Sequence, residues 1–174
     1  MSRATVLSRV PHLPVETGLI ISAVAALLLG SAVYLLDRDW SDTMLLAPFI
    51  AYQWPTSAAF ADFGGFLPSF LHAYAIPVLI IVALRPWPWT RPWVCILWFT
   101  IASILEWLQS EAADSLLFSA NTLLGDMPLL GYLERYAVQG QFDNFDLLAT
   151  GVGSLTALAV TTVFAPHSRQ RTYA

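Results

Sequence analysis

The chain contains no lysine and a single cysteine, and only 11% of its 174 residues are charged. Without lysine there is no Schiff-base lysine, no lysine nucleophile and no P-loop lysine. One cysteine, Cys95, permits no internal disulfide and no C-x-x-C site. The net charge of −4 comes without a basic stripe. Because nucleic-acid binding needs such a stripe, we expect no nucleic-acid partner.

Patterns that would indicate a cofactor, a metal or catalysis are also lacking. Ligation of haem by two histidines needs both within the protein, and His72 alone lies inside an apolar stretch. No set of His, Cys and carboxylate residues has zinc spacing, and no G-x-S-x-G turn occurs. We therefore expect no cofactor, no metal and no catalytic residue, and the sequence carries no positive signal for an enzyme. Axial binding of a pigment through His72 is the alternative left open.

Four long apolar stretches dominate a chain that is 57% hydrophobic. A hydrocarbon core of about 30 Å needs about 20 helical residues, and lipid requires a backbone that satisfies its own hydrogen bonds. The sequence therefore predicts an all-α fold, an integral membrane bundle of four transmembrane helices that forms one domain over residues 1–174. The predicted spans are about 17–36, 66–84, 93–108 and 145–164.

The two longer loops are themselves rich in apolar residues. One begins with Ser41, a plausible helix cap, and the other is broken by Gly125, Pro128 and Gly131. Such segments are typical of short helices that lie in the membrane interface. We predict interfacial segments at about 42–60 and 111–136, both in outer loops.

The distribution of arginine predicts the orientation of the helices. Arginines favour the N-terminus, the second loop and the C-terminal tail, whereas the first and third loops are acidic. Because cytoplasmic loops retain the cations, both termini should be cytoplasmic in a multi-pass protein of the plasma (inner) membrane. Tryptophans near the predicted span ends agree, because their rings favour the headgroup level.

Small residues recur at every fourth position along the first and last predicted spans. Residues at this spacing share a helix face. Helices in lipid associate mainly by close backbone approach and van der Waals contact, which small residues allow. We therefore predict helix-packing faces, against this chain or another subunit, at Gly18, Ser22, Ala26 and Gly30, and at Ala149, Gly153 and Ala157.

Several polar residues fall within or beside the predicted spans, where each needs a reason because burial in lipid is costly. The predicted topology brings them to the outer membrane boundary, where they would form a polar site. Simpler interpretations stay open. Asp143 and Asp146 could cap a helix, His72 could serve in packing, and the pair Glu106 and Gln109 could be hydrated at a helix end. The candidates are His72, Glu106, Gln109, Asp143 and Asp146.

Three segments resemble the VanZ-like membrane family over roughly residues 66–158. FLHAYAIPVL is similar to its His-x-x-x-aromatic segment, ILEWLQ to its Glu-x-x-Gln ending, and GQFDNFDLLATGVGSLTAL to the segment that opens its last helix. The family's Asp-Lys pair, arginine and asparagine are replaced here. The replacing residues are Pro68, Ser69, Gln141 and Thr150. The resemblance implies an outward-facing polar site linked to the cell envelope and, in the name-giving member, to glycopeptide tolerance.

Two hypotheses of function follow. The first is a non-catalytic accessory or scaffolding subunit of a larger membrane complex, with other integral membrane proteins as partners. The second is an envelope protein that binds a membrane lipid or amphiphile at the outer leaflet. The replaced cations and the long apolar loops favour the first, and the polar residues at one depth favour the second.

The predicted topology can be tested with a reporter that is active only outside the cytoplasm. A reporter inserted before Phe145 should be active, because that acidic turn is expected outside. The same reporter at the N-terminus should be silent. Activity of both reporters, or of neither, would contradict the odd number of crossings, three, that is predicted between the two points.

Overall fold

A computed structural model describes residues 15–37, 40, 49, 51, 60, 63–84, 87–110, 113, 131, 133, 136 and 142–164. This part of the chain is helical and contains no strand. The four long helices are α1 (Val15–Leu36), α2 (Leu67–Leu84), α3 (Arg91–Trp107) and α4 (Asn144–Phe164), and a 3-10 turn at Pro88–Thr90 precedes α3. The all-α prediction is confirmed, and every helix begins and ends within two residues of the predicted span.

Three of these helices, α1, α2 and α4, are long and apolar enough to cross a membrane. Helix α3 has only 17 residues, a length of about 25 Å at 1.5 Å per residue, and it begins with a charged arginine. The crossing by α3, and with it the four-span bundle, stays a prediction.

Large apolar side chains cover much of the described surface. Leu28 of α1 is 67% exposed and Leu155 of α4 is 68% exposed, and both lie in the middle of their helices. A water-soluble protein rarely exposes apolar patches of this extent. The exposed faces therefore match a lipid environment.

Most of the two predicted interfacial segments, 42–60 and 111–136, lies outside the described residues. Helical backbone is present at Ala113, Gly131, Leu133 and Tyr136. The predicted interfacial helices stay predictions.

Helix α2 is the centre of the structure, since it packs against α1, α3 and α4. Its buried residues are not confined to one narrow stripe and include Pro77, and the helix continues past that proline. Consecutive helices run in opposite directions, so that α2 is parallel to α4. The first turns of α2 and α4 therefore meet the last turns of α1 and α3 at one end of the structure, which we call the polar end.

At the opposite end, an arginine joins α3 to α4. Arg91 Nη1 donates a hydrogen bond of 2.8 Å to the carbonyl of Thr161 in the last turn of α4. Carbonyls in a last turn have no donor within their own helix, and the helix dipole favours a cation there. Arg91 therefore ties the start of α3 to the end of α4.

The small-residue face of α1 packs on α2. A Cβ placed on Gly30 would lie 3.6–3.7 Å from the His72 ring and from Leu71, and Ala26 is buried. The hydroxyl of Ser22 is 2.8 Å from that of Tyr74. A Cβ on Gly18 would have no neighbour within 4 Å, so the packed part of this face begins one turn later than predicted.

The small-residue face of α4 packs on α2 even more closely. A Cβ on Gly153 would collide with the carbonyl oxygen of Phe70 and would lie 3.0 Å from the Cβ of Ala73. Ala149 and Ala157, one turn to either side, are buried. Apart from Gly18, both predicted packing faces therefore lie against α2 of this same chain.

Substitution of Gly153 by alanine should destabilise the protein by about 1–3 kcal/mol, because the added methyl group overpacks a contact with backbone. The matched variant Gly18→Ala should cost nothing, because its methyl group enters open space. Unfolding of both variants in detergent, followed by circular dichroism against added SDS, measures the difference. Equal stability of the two variants would contradict this close contact.

Candidate ligand-binding cavity at the polar end

Two hydrogen bonds join three helices at the polar end. Ser69 Oγ of α2 donates to Asp146 Oδ1 of α4 over 2.7 Å. The backbone N–H of Asp143 donates to Glu106 Oε1 of α3 over 2.9 Å. Two carboxylates thus lie at the start of α4, where the first amides lack partners within the helix and the helix dipole favours negative charge.

Asp143 is the helix cap that the sequence allowed. Its Oδ1 accepts a hydrogen bond of 2.8 Å from the amide of Phe145. The cap interpretation therefore holds for Asp143 but does not describe Asp146, whose carboxylate reaches across to α2. The two aspartates, alike in the sequence, have different roles in the structure.

Gln109 and Tyr136 lie close to these two hydrogen bonds, at the same end of the structure. The Tyr136 side chain forms a hydrogen bond with Gln109 and lies near Glu106, Tyr34 and Asp146. Burial raises the pKa of the Tyr136 phenol, and the bond to Gln109 lowers it to a smaller extent. The adjacent carboxylates and the second phenol raise the pKa further. At neutral pH Tyr136 is therefore protonated and keeps an O–H donor.

His72 is half-buried one turn below Ser69. Its ring donates to the carbonyl of Pro68, and its centroid lies 6.3 Å from that of Tyr34 on α1. A Cβ placed on Gly30 would be in ordinary van der Waals contact with the ring. His72 thus packs between α1 and α2, as the simpler interpretation has it, and also reaches a cavity on the other side of α2.

A cavity of about 220 Å³ lies between α2, α3 and α4. The lining residues of α2 and of α3 follow helical spacing, so each of these two helices presents one face, and α4 contributes one residue. The lining consists of Ser69, His72, Ala73, Ile76, Trp98, Ala102, Leu105, Glu106, Tyr136 and Thr150.

The polarity of the cavity changes along its length. Ser69, His72, Glu106 and Tyr136 lie toward the polar end. Deeper along the helices the walls become apolar, at Ile76 and Ala102 among others. On α3 the lining runs over eight residues, or about 12 Å. A ligand that has a polar group at one end and an apolar chain would match this order of polar and apolar walls.

The side chains at the polar end can form hydrogen bonds with a polar ligand. Hydroxyl, imidazole and carboxylate groups offer donors and acceptors for a polar ligand. Among the described residues, no group of three His, Cys, Asp or Glu side chains is placed to hold a metal ion. No described serine or cysteine is hydrogen-bonded to His72, as an activated nucleophile would require.

The structure brings together all five polar candidates, and it adds members that the sequence did not indicate. Ser69 lies three residues before His72, a helical spacing that places both on one face. Thr150 follows Asp146 at the same kind of spacing, and both signals were present in the sequence. Tyr136 has no such signal, because it lies in the connection between α3 and α4, where no regular helical spacing relates it to the other members. The spacing of Trp98, two turns from Glu106, is no clear signal either, because a tryptophan at this position could equally well face lipid.

No protein-family model, no curated protein and no solved structure matches the chain.

The bond between Glu106 and the amide of Asp143 predicts a difference between two substitutions. Glu106→Ala removes the acceptor of a part-buried amide and should cost about 1–3 kcal/mol. Glu106→Gln keeps an oxygen at that place and should cost less than half as much. The free energy of unfolding in detergent measures both variants. A glutamine variant as unstable as the alanine variant would contradict a bond made through this oxygen.

Proposed function

We propose that this protein binds the polar head of a membrane lipid or other amphiphile in the cavity between α2, α3 and α4. The observation that carries the proposal is the order of the lining, with hydrogen-bonding groups at the polar end and apolar walls deeper in. Small-molecule sites commonly combine apolar walls with a few converging polar groups. An amphiphile has both parts in the same order.

The position of the cavity along the helices supports a ligand from the membrane. Glu106 lies in the last turn of α3 and Ser69 in the first turn of α2, so the polar groups lie where helices of these lengths would leave the hydrocarbon core. Arg91 lies at the opposite end. The positive-inside rule favours a cytoplasmic position for that end, and with this orientation the proposed site would open toward the outer leaflet of the plasma membrane.

The resemblance to the VanZ-like family supports the same reading of the site. The segments that carry it contribute His72, Glu106, Gln109, Asp143 and Asp146, and these residues converge although they lie far apart in the chain. Membership in that family, and a role in the cell envelope such as glycopeptide tolerance, is the specific form of the proposal. Ser69 stands where the family has a charged residue, so the head would be held here mainly by hydrogen bonds.

An accessory or scaffolding subunit is the second candidate. Its supporting observation is α1, which among the described helices makes extensive contacts only with α2 and leaves Gly18 open on the predicted packing face. A helix of another membrane protein would fit there. The internal use of the remaining packing faces weighs against this candidate relative to the first.

A single purification tests both candidates. Wild-type protein extracted from native membranes in mild detergent should carry an amphiphile, identified by native mass spectrometry. Ala102→Phe fills the cavity with a ring and should reduce the bound amphiphile at least about tenfold, a loss of about 1.4 kcal/mol or more. The control Ile101→Phe changes a neighbouring side chain that is 39% exposed, and it should retain the ligand.

Wild-type protein without any bound amphiphile, or equal loading of the two phenylalanine variants, would contradict the proposed cavity. In that event, a protein that co-purifies at fixed stoichiometry would support the accessory role. A monomer in every mild detergent would contradict the accessory role as well.

A further inference from the structure

Thr150 differs from the other threonines of α3 and α4 in its hydrogen bonding. Each of the others donates its hydroxyl to the carbonyl four residues earlier, over 2.7–2.9 Å, which satisfies the hydroxyl within its own helix. These are Thr100, Thr156, Thr161 and Thr162. The Thr150 hydroxyl makes no such bond, and it has no hydrogen-bond partner among the described residues.

The Thr150 hydroxyl is open to the cavity. The buried polar atoms that lack both a hydrogen-bond partner and accessible surface include Ser154 Oγ but not the hydroxyl oxygen of Thr150. Since that oxygen has no partner, it keeps accessible surface. Thr150 as a whole is only 7% exposed, and it lines the cavity between α2, α3 and α4. Its accessible oxygen is therefore presented to the cavity.

A ligand in the cavity would satisfy this hydroxyl. A polar group that is buried without a partner costs free energy, which a hydrogen bond recovers. Thr150 lies four residues, or about 6 Å, beyond Asp146 along α4. The hydroxyl would therefore meet the part of an amphiphile that lies directly below a head bound at the polar end.

The cavity walls restrict the kind of partner. Away from the polar end the lining is mainly apolar, at Ala73, Ile76 and Ala102 among others, and a charged group there would lose its hydration. Two hydroxyl groups that meet in such a place would leave one proton without an acceptor. A carbonyl oxygen accepts the proton of Thr150 and brings no donor of its own.

In an amphiphile, an uncharged carbonyl lies directly below the head where an ester or an amide attaches the chain. We propose that Thr150 is a specificity-determining residue whose hydroxyl donates to such a carbonyl, so that the ligand is an ester- or amide-linked amphiphile. This inference rests on the proposed function, since it names the class of ligand for the same cavity.

The test compares lipids that differ only at the linkage. Phosphatidylethanolamine and phosphatidylglycerol are each supplied in a diester and a diether form with matched chains, and binding to the purified full-length protein is measured by native mass spectrometry. Wild-type protein should bind the diester form about fivefold more tightly, the ratio expected for one neutral hydrogen bond. Thr150→Val removes the hydroxyl with little change of shape and should bring the ratio close to one.

The matched control is Thr156→Val, which removes a hydroxyl of the same helix that is bonded to the carbonyl of Val152 and should keep the preference. Unfolding by SDS without lipid supplies a second measurement. Thr150→Val should unfold at no lower SDS concentration than the wild type, because it removes a hydroxyl that has no partner. A lower midpoint would mean that the hydroxyl is bonded within the protein, contrary to the proposal.

The outcomes separate the two proposals. Equal binding of diester and diether lipids by the wild type, or a preference that survives in Thr150→Val, would overturn the role of Thr150 while leaving the cavity as a binding site. Loss of the preference in both valine variants, or a native amphiphile without an ester or amide, would overturn that role as well. Failure of the wild type to bind any of the four lipids, together with native protein that carries no amphiphile, would overturn the proposed function itself.

Discussion

The close approach of α4 to α2 at Gly153 is the contact on which the rest of the arrangement depends. Helices that are surrounded by lipid gain no hydrophobic free energy by associating, so their backbones must come near enough for extensive van der Waals contact. Gly153 lies against the backbone of Phe70, where no side chain would fit. This contact fixes the depth of α4 relative to α2 and so brings Asp146 level with Ser69, two turns away.

The position of the cavity depends on how α3 packs against α4 and α2. Polar contacts hold α3 to α4 at both ends, through Arg91 at the start and Glu106 near the finish. Between these points α3 packs more extensively on α4 than on α2. The space left between α2 and α3 is therefore lined by one face of each helix, with α4 behind it. Tyr136 approaches from a loop and adds a phenol at the polar end.

The two ends of this cavity differ in polarity. The polar end offers several hydrogen-bonding groups, most of which already have partners within the protein, and it suits a head that is recognised by shape and hydrogen bonds. The deep part is lined mainly by apolar side chains. Two such regions in one cavity match the polar head and the apolar chain of an amphiphile.

Much of this protein could be predicted from the sequence. The runs of apolar residues predicted the start and the end of each long helix to within two residues, because the length and hydropathy of a run indicate a helix independently of the helices that pack around it. The alternating direction of the helices also placed His72, Glu106, Gln109 and the two aspartates at one end. Only the tertiary structure decided which atoms meet. Whether Asp146 caps its helix or reaches Ser69, whether Gly18 is packed, and whether Trp98 faces lipid or a cavity all depend on helix rotation, which is set by contacts between residues far apart in the chain.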